Sequence, residues 1–349
     1  MLAVRWLGVD KPLEVTDIAV PEPGPGEVRV RVAACGVCAS DLHVFDGSLP
    51  SRAQPPVTPG HESAGVVSAL GDGVTAWRLE DRVAIYAGKG CGVCKACVEG
   101  RPVEECWLPL TMGVDYDGAW AEEVVVPASA LVRLPENVPF EVGAILADCV
   151  ATPFAAVTET AALKTGERIA IFGVGGLGTH AVQIARMAGA SFVAAVDARP
   201  GALERAKLLG ADLAVEPEGA VAAIRDATGG EGVDVACDFV GANNVLKAAV
   251  ASLAKNGRAI VVGVSGERIS LGPSILFAVF GTKLLGHYGY RRSHLETLVD
   301  LVSSGRLDIS GSISARLPLE QAEEAVRMLR TKENDPVRIL LVHGVSSPV

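Results

Sequence analysis

Three groups of residues in this chain have the types and spacings that do chemistry. Cys38 in GVCASDLH and His61 in TPGHE offer a thiolate and an imidazole, both good zinc donors. Each stands beside a carboxylate, Asp41 or Glu62, suited to orienting a ligating side chain. A catalytic zinc site takes three protein ligands and keeps one position open, so a third donor must come from elsewhere. Cys91, Cys94, Cys97 and Cys106 form C-x2-C-x2-C-x8-C, four sulfurs on a short glycine-bearing loop that can close a structural metal site. Three evenly spaced cysteines argue against a simple redox dithiol. Gly173, Gly175 and Gly178 stand in G-x-G-x-x-G spacing, with Gly176 and Leu177 between them, and Asp197 follows roughly 20 positions on. The glycines suit a tight turn, close approach of backbone to a pyrophosphate, and close helix–strand packing; the helix N-terminus then offers free N–H groups to phosphates. Asp197 would bind a ribose 2′-hydroxyl and repel a 2′-phosphate, which reads as NAD, whereas Arg199 is the one nearby charge that favours NADP.

Such residues need a scaffold, and the hydrophobic pattern predicts one. Up to about residue 147 the chain alternates short apolar runs with turn signals: Val28 to Ala33 after PEPGPGE, Ser63 to Leu70 before GDG, Arg82 to Tyr86, and Glu123 to Val126 before Pro127. That is the pattern of a β-rich, barrel-like domain. From about residue 148 strands alternate with helical segments. The strands are Ile169–Phe172, Phe192–Val196, Val233–Phe239 and Arg258–Val264, and the helices include Ala202–Leu209 and Val245–Leu253. This alternation predicts α/β architecture with a doubly wound parallel sheet. Ala322 to Leu329 reads as a late helix and Arg338 to Val342 as a final strand.

The bulk properties narrow the class. A net charge of −10 over 349 residues argues against a nucleic-acid partner, whose phosphates demand a basic face. No apolar run suggests the roughly 20 residues that cross a bilayer, and MLAVRWLGVD lacks a signal-peptide core. Eight cysteines without an export signal point to reduced thiols and metal ligation, hence a cytoplasmic protein.

GVCASDLH, TPGHE, the cysteine cluster and GVGGLG occur here in the order found in the zinc-dependent medium-chain alcohol dehydrogenases, which the chain resembles over essentially its full length. The resemblance implies a GroES-like β-rich catalytic domain over 1–147 with a structural zinc lobe, a Rossmann cofactor domain over 148–287, and a return to the catalytic domain over 288–349. It implies two zinc ions per chain and reversible hydride transfer between a primary or secondary alcohol and NAD. Cys38 and His61 would be catalytic zinc ligands. The family's third ligand opens a C-x-x-x-T or D-x-x-x-T segment, here Asp148 to Thr152, so register assigns it to Asp148, with Cys149 the rival. One thiolate, one carboxylate and a neutral imidazole balance Zn²⁺ as two thiolates would. In the structural lobe the family's last gap is seven residues and here it is eight, so Glu105 takes the usual register, but thiolate is the softer partner for structural zinc and Cys106 is the expected fourth ligand.

By the same resemblance Ser40 and His43 form a proton relay, Glu62 can transiently ligate the metal, and Thr152, Val264 and Arg338 contact the cofactor, Arg338 at its pyrophosphate. Trp107, Phe45 and Tyr288 are candidate pocket residues, while Cys35, Cys237 and His180 read as packing. The apparent lack of a long loop insertion resembles tetrameric microbial members. A polyol dehydrogenase, a zinc-free enoyl or quinone reductase, and a non-enzymatic cofactor-binding protein are the alternatives.

Overall fold

The computed structural model describes residues 1–343 and divides the chain into two compact units. One runs from Met1 to Cys149 and resumes at Arg291; the other is Val150–Tyr290. The division after Cys149 falls two residues beyond the boundary expected at 147/148, so Asp148 belongs with the first unit, and the return falls after Tyr290. The last six residues of the expected 288–349 segment lie outside the described residues.

In the first unit a seven-stranded sheet is built round the long strand Glu27–Val37, which pairs antiparallel with Ser63–Leu70, Glu123–Pro127 and the late strand Arg338–Val342. Val28, Val30 and Val32 are fully buried while Glu27, Arg29 and Arg31 alternate outward, the period-2 pattern of a sheet with one covered face. Each buried valine is worth about 1.5–3 kcal/mol. Beyond Val32 the strand is buried on both faces up to Val37, which delivers Cys38 into the interior. Arg338–Val342 registers Ile339 against Val37 and so carries the C-terminal segment back to this same strand end. Ile339 and Leu341 join Val30, Val37, Ile85, Met112, Trp120 and Leu131 in one core.

The second unit is a six-stranded parallel sheet in the order Leu213–Val215, Phe192–Val196, Arg168–Phe172, Val233–Asp238, Leu253–Val261, Lys283–Gly286. That is the doubly wound order 3-2-1-4-5-6, whose ligand crevice lies at the carboxyl ends where the winding reverses. The reversal falls between Arg168–Phe172 and Val233–Asp238. The helix Gly176–Met187 starts inside the glycine motif. Gly173 has φ +88°, and a Cβ on Gly178 would sit 1.8 Å from the Gly173 carbonyl oxygen, so the loop closes only with glycine there.

Two expectations need correction. The strand before Val264 ends at Val261, because Val262 and Gly263 already bond back to the Asp238 carbonyl; Val264 lies in the loop beyond the sheet. The helical stretch Phe140–Thr160 is long and apolar enough to cross a membrane, against the reading that no such run exists. Its apolar window is 89% buried inside the protein, so it is core.

Candidate active site and metal centres

Cys38 caps the helix Ala39–Phe45, and its backbone N–H donates to Asp41 Oδ2 at 2.8 Å. The other oxygen of Asp41 faces His61 Nδ1 at 3.3 Å, with both side chains buried. A carboxylate on Nδ1 leaves Nε2 as the free donor. His61 Nε2 lies 3.2 Å from Ser40 Oγ and 3.7 Å from Asp148 Oδ2, and Cys38 Sγ lies 3.5 Å from the same Asp148 oxygen. Ligands bonded at 2.0–2.3 Å in a tetrahedron stand about 3.3–3.8 Å apart, so these donors fit one zinc ion. Glu62 is the fourth member of this group, whose donor atoms all lie within 4.8 Å of one another.

The electrostatics suit a cation. Burial alone would lower the imidazole pKa of His61, but Asp41 and the ring's hydrogen bonds to Asp148 and Cys38 hold it well above its usual value. Burial opposes a thiolate at Cys38, yet Arg338 and His61 bring its pKa below normal. Asp148 comes from Leu146–Val150, a segment of wide π-type turns, a backbone irregularity frequent at functional sites. Its neighbour Cys149 is not among the grouped donors; it is fully buried near Arg338, and burial pushes its thiol pKa up.

Glu62 is completely buried, and Arg338 Nη2 meets its Oε1 at 3.2 Å while Nη1 donates to the Val37 carbonyl at 3.0 Å. A Cβ at Gly36 would fall 2.0 Å from Glu62 Oε2, so Gly36 makes the room for this carboxylate. Burial, with Cys38 and Asp148 adding to it, raises the Glu62 pKa well above the carboxylate range despite Arg338. Sequence reasoning missed this ion pair. The one available signal was that Arg338 opens an otherwise apolar strand, RILLV.

In the cysteine lobe Cys94 Sγ lies 3.6 Å from Cys97 Sγ and 3.8 Å from Cys106 Sγ, and Cys91 Sγ lies 4.0 Å from Cys97 Sγ. The backbone N–H of Cys91 donates to Cys106 Sγ and that of Cys94 to Cys91 Sγ, the bonds thiolates accept. Amides of Cys97 and Trp107 help bring the Cys94 thiol down to about 6. Glu105 instead pairs with Arg101 at 2.6 Å, because the short turn Val103–Glu105 absorbs the extra residue and brings Cys106 to the sulfurs. Trp107 is 90% exposed, Phe45 is buried edge-on against Trp120, and Tyr288 is exposed. Cys35, Cys237 and His180 are buried.

In the second unit Asp197 Oδ2 accepts the backbone N–H of Val174, inside the glycine loop, at 2.7 Å. Arg199 donates to the same carboxylate through its backbone N–H at 2.9 Å, Nε at 3.0 Å and Nη2 at 3.1 Å. Burial opposes charge on Asp197, but these bonds hold its pKa below the usual range. Arg199 is thus a partner of Asp197. The buried Thr152 accepts a bond at its carbonyl from His287 Nε2.

Comparison with known proteins agrees with this geometry. Residues 24–136 match the alcohol dehydrogenase GroES-like domain, and residues 176–304 the zinc-binding dehydrogenase domain. The chain is 35% identical over 331 residues to an alcohol dehydrogenase of Geobacillus stearothermophilus, covering 94% of this chain and 96% of that one. It is 32% identical to an L-threonine 3-dehydrogenase of Pyrococcus furiosus, covering 98% and 99%. A solved NAD-dependent alcohol dehydrogenase superposes with a TM-score of 0.88 at 30% identity, covering 99% and 100%. With two donor clusters in one unit, a dinucleotide loop in the other and relatives spanning nearly the whole chain, the protein belongs to the zinc-dependent medium-chain alcohol dehydrogenases.

Proposed function

We propose a division of labour among this chain's residues in the family reaction, the reversible oxidation of an alcohol by NAD. Cys38, His61 and Asp148 would hold the catalytic zinc, and Cys91, Cys94, Cys97 and Cys106 the structural one. The bound zinc supplies Lewis acidity at the substrate oxygen and the nicotinamide supplies the hydride acceptor. Asp41 orients His61 through Nδ1. Ser40 takes the substrate's proton, a role supported by its hydroxyl standing 3.2 Å from His61 Nε2. His43 lies three residues on along the same helix, hence on the same face, and passes the proton outward. Glu62, held by Arg338, is a reserve carboxylate for the metal. Asp197 receives the adenosine ribose hydroxyls beside the glycine loop of Gly173, Gly175, Gly176, Leu177 and Gly178, and Thr152 and Val264 serve the nicotinamide end.

The observation that carries this reading is the group of Cys38, His61 and Asp148 at tetrahedral spacing with the Ser40 hydroxyl beside it. A panel of primary and secondary alcohols and their carbonyl partners, followed by NADH absorbance with zinc counted per chain, tests it. Full activity after exhaustive chelation would overturn it. The threonine dehydrogenase relative supports a second reading, a polyol or hydroxy-amino-acid substrate, and the same panel separates the two. A homo-oligomer, a tetramer by the length resemblance, is supported by the exposed Ile275, Leu276, Val279 and Phe280 next to the edge strand Lys283–Gly286. Eight unbridged cysteines support a reducing, cytoplasmic setting.

A further inference from the structure

Just past the helix Ala39–Phe45 stand Asp46 and Ser48, which the mechanism above leaves unused and which form a polar chain with His43. His43 Nδ1 lies 2.9 Å from Ser48 Oγ, and Ser48 Oγ lies 2.6 Å from Asp46 Oδ1. The backbone N–H of Ser48 also donates to Asp46 Oδ1 at 2.9 Å, which sets the hydroxyl between the imidazole and the carboxylate. An ionised carboxylate only accepts, so the proton in the 2.6 Å contact is the hydroxyl's single hydrogen. The Ser48 bonds hold Asp46's pKa below its ordinary value, with His43 and Arg330 adding to the effect, so the carboxylate is charged at neutral pH. With its hydrogen committed, Ser48 Oγ can only accept from His43, and Nδ1 must carry a proton.

We infer that Asp46 and Ser48 are positioning residues which fix the proton of His43 on Nδ1, so that Nε2 is the nitrogen that takes up and releases the relayed proton. Nδ1 then keeps its hydrogen in both the neutral and the cationic ring. The proton then enters and leaves by Nε2, so the ring need not change tautomer between turnovers. This rests on the relay reading of Ser40 and His43.

The test uses the zinc-loaded full chain with ¹⁵N in its six histidine rings, His43 being assigned by its loss in His43→Gln. Long-range proton–nitrogen correlations report which ring nitrogen is protonated. The wild type should show the Nδ1–H form of neutral His43, Ser48→Thr should keep it, and Ser48→Ala should shift it toward Nε2–H. Ser48→Ala should also lower kcat for alcohol oxidation about two- to tenfold, the worth of one surface hydrogen bond, with NAD affinity unchanged. A wild-type His43 in the Nε2–H form, or a Ser48→Ala protein with an unaltered tautomer, overturns the inference. Wild-type kcat in His43→Gln overturns instead the relay on which it rests, whatever the spectra show.

Discussion

Replacing Arg338 separates two roles for one residue. The family resemblance assigns its guanidinium to the cofactor pyrophosphate, yet here it is 2% exposed, 3.2 Å from the fully buried Glu62 and bonded to the Val37 carbonyl. Arg338→Met removes a positive charge from a pocket that also holds Cys38 and Asp148. Breaking one side of a buried ion pair costs up to about 3–5 kcal/mol, and Glu62, whose pKa burial already raises, escapes part of that cost by taking a proton. At about 2–4 °C per kcal/mol for a unit of this size, the unfolding midpoint should fall by up to roughly 6–20 °C. Adding Glu62→Gln should recover much of that loss, since removing both charges of a buried pair is often nearly neutral. Thermal unfolding of zinc-loaded protein, followed by intrinsic fluorescence, reads the effect, and a parallel titration gives NAD affinity. A midpoint within about 2 °C of wild type, together with a large loss of NAD affinity, would refute the counterion argument.

Four further outcomes follow from the same geometry. Asp197→Asn should weaken NAD binding about 10- to 100-fold, the worth of hydrogen bonds to a charged group, and Arg199→Ala should widen the preference for NAD over NADP; cofactor titration checks both. Cys106→Ser should leave one zinc per chain while Glu105→Gln leaves two, measured by elemental analysis, because the sulfur and not the carboxylate meets the other thiols. Asp148→Ala should abolish turnover and lose the catalytic zinc, whereas Cys149→Ala should keep both. Arg258 bonds both oxygens of Glu167, at 3.0 and 2.6 Å, and against the opposing effect of burial holds its carboxyl below the ordinary 4.5. A depressed folded-state pKa stabilises above that ordinary value and is lost as pH falls through the folded one. Glu167→Gln should therefore lose stability at neutral pH and show a shallower acid dependence in denaturant melts.

The sequence by itself determined the chemistry and much of the scaffold. Strands such as Ser63–Leu70, Phe192–Val196 and Arg338–Val342 were legible because alternation and unbroken apolar runs are local properties of the chain. The glycine loop was legible because its spacing reflects backbone sterics, which act within a few residues. Local pattern could not find the short sheet-edge strands Leu213–Val215 and Lys283–Gly286, whose pairing is set by neighbours far along the chain. Family register favoured Asp148 over Cys149, and the softness of thiolate favoured Cys106 over Glu105, but local pattern does not show where the backbone aims adjacent residues. The wide turns at Leu146–Val150 bring Asp148 to Cys38, and the short turn at Val103–Glu105 brings Cys106 to the other sulfurs. The pairing of Arg338 with Glu62 is the furthest from local reach. It exists because the last strand registers against Val37, with Arg338 bonded to that residue's carbonyl 301 positions away, and burial leaves the two side chains no solvent but each other.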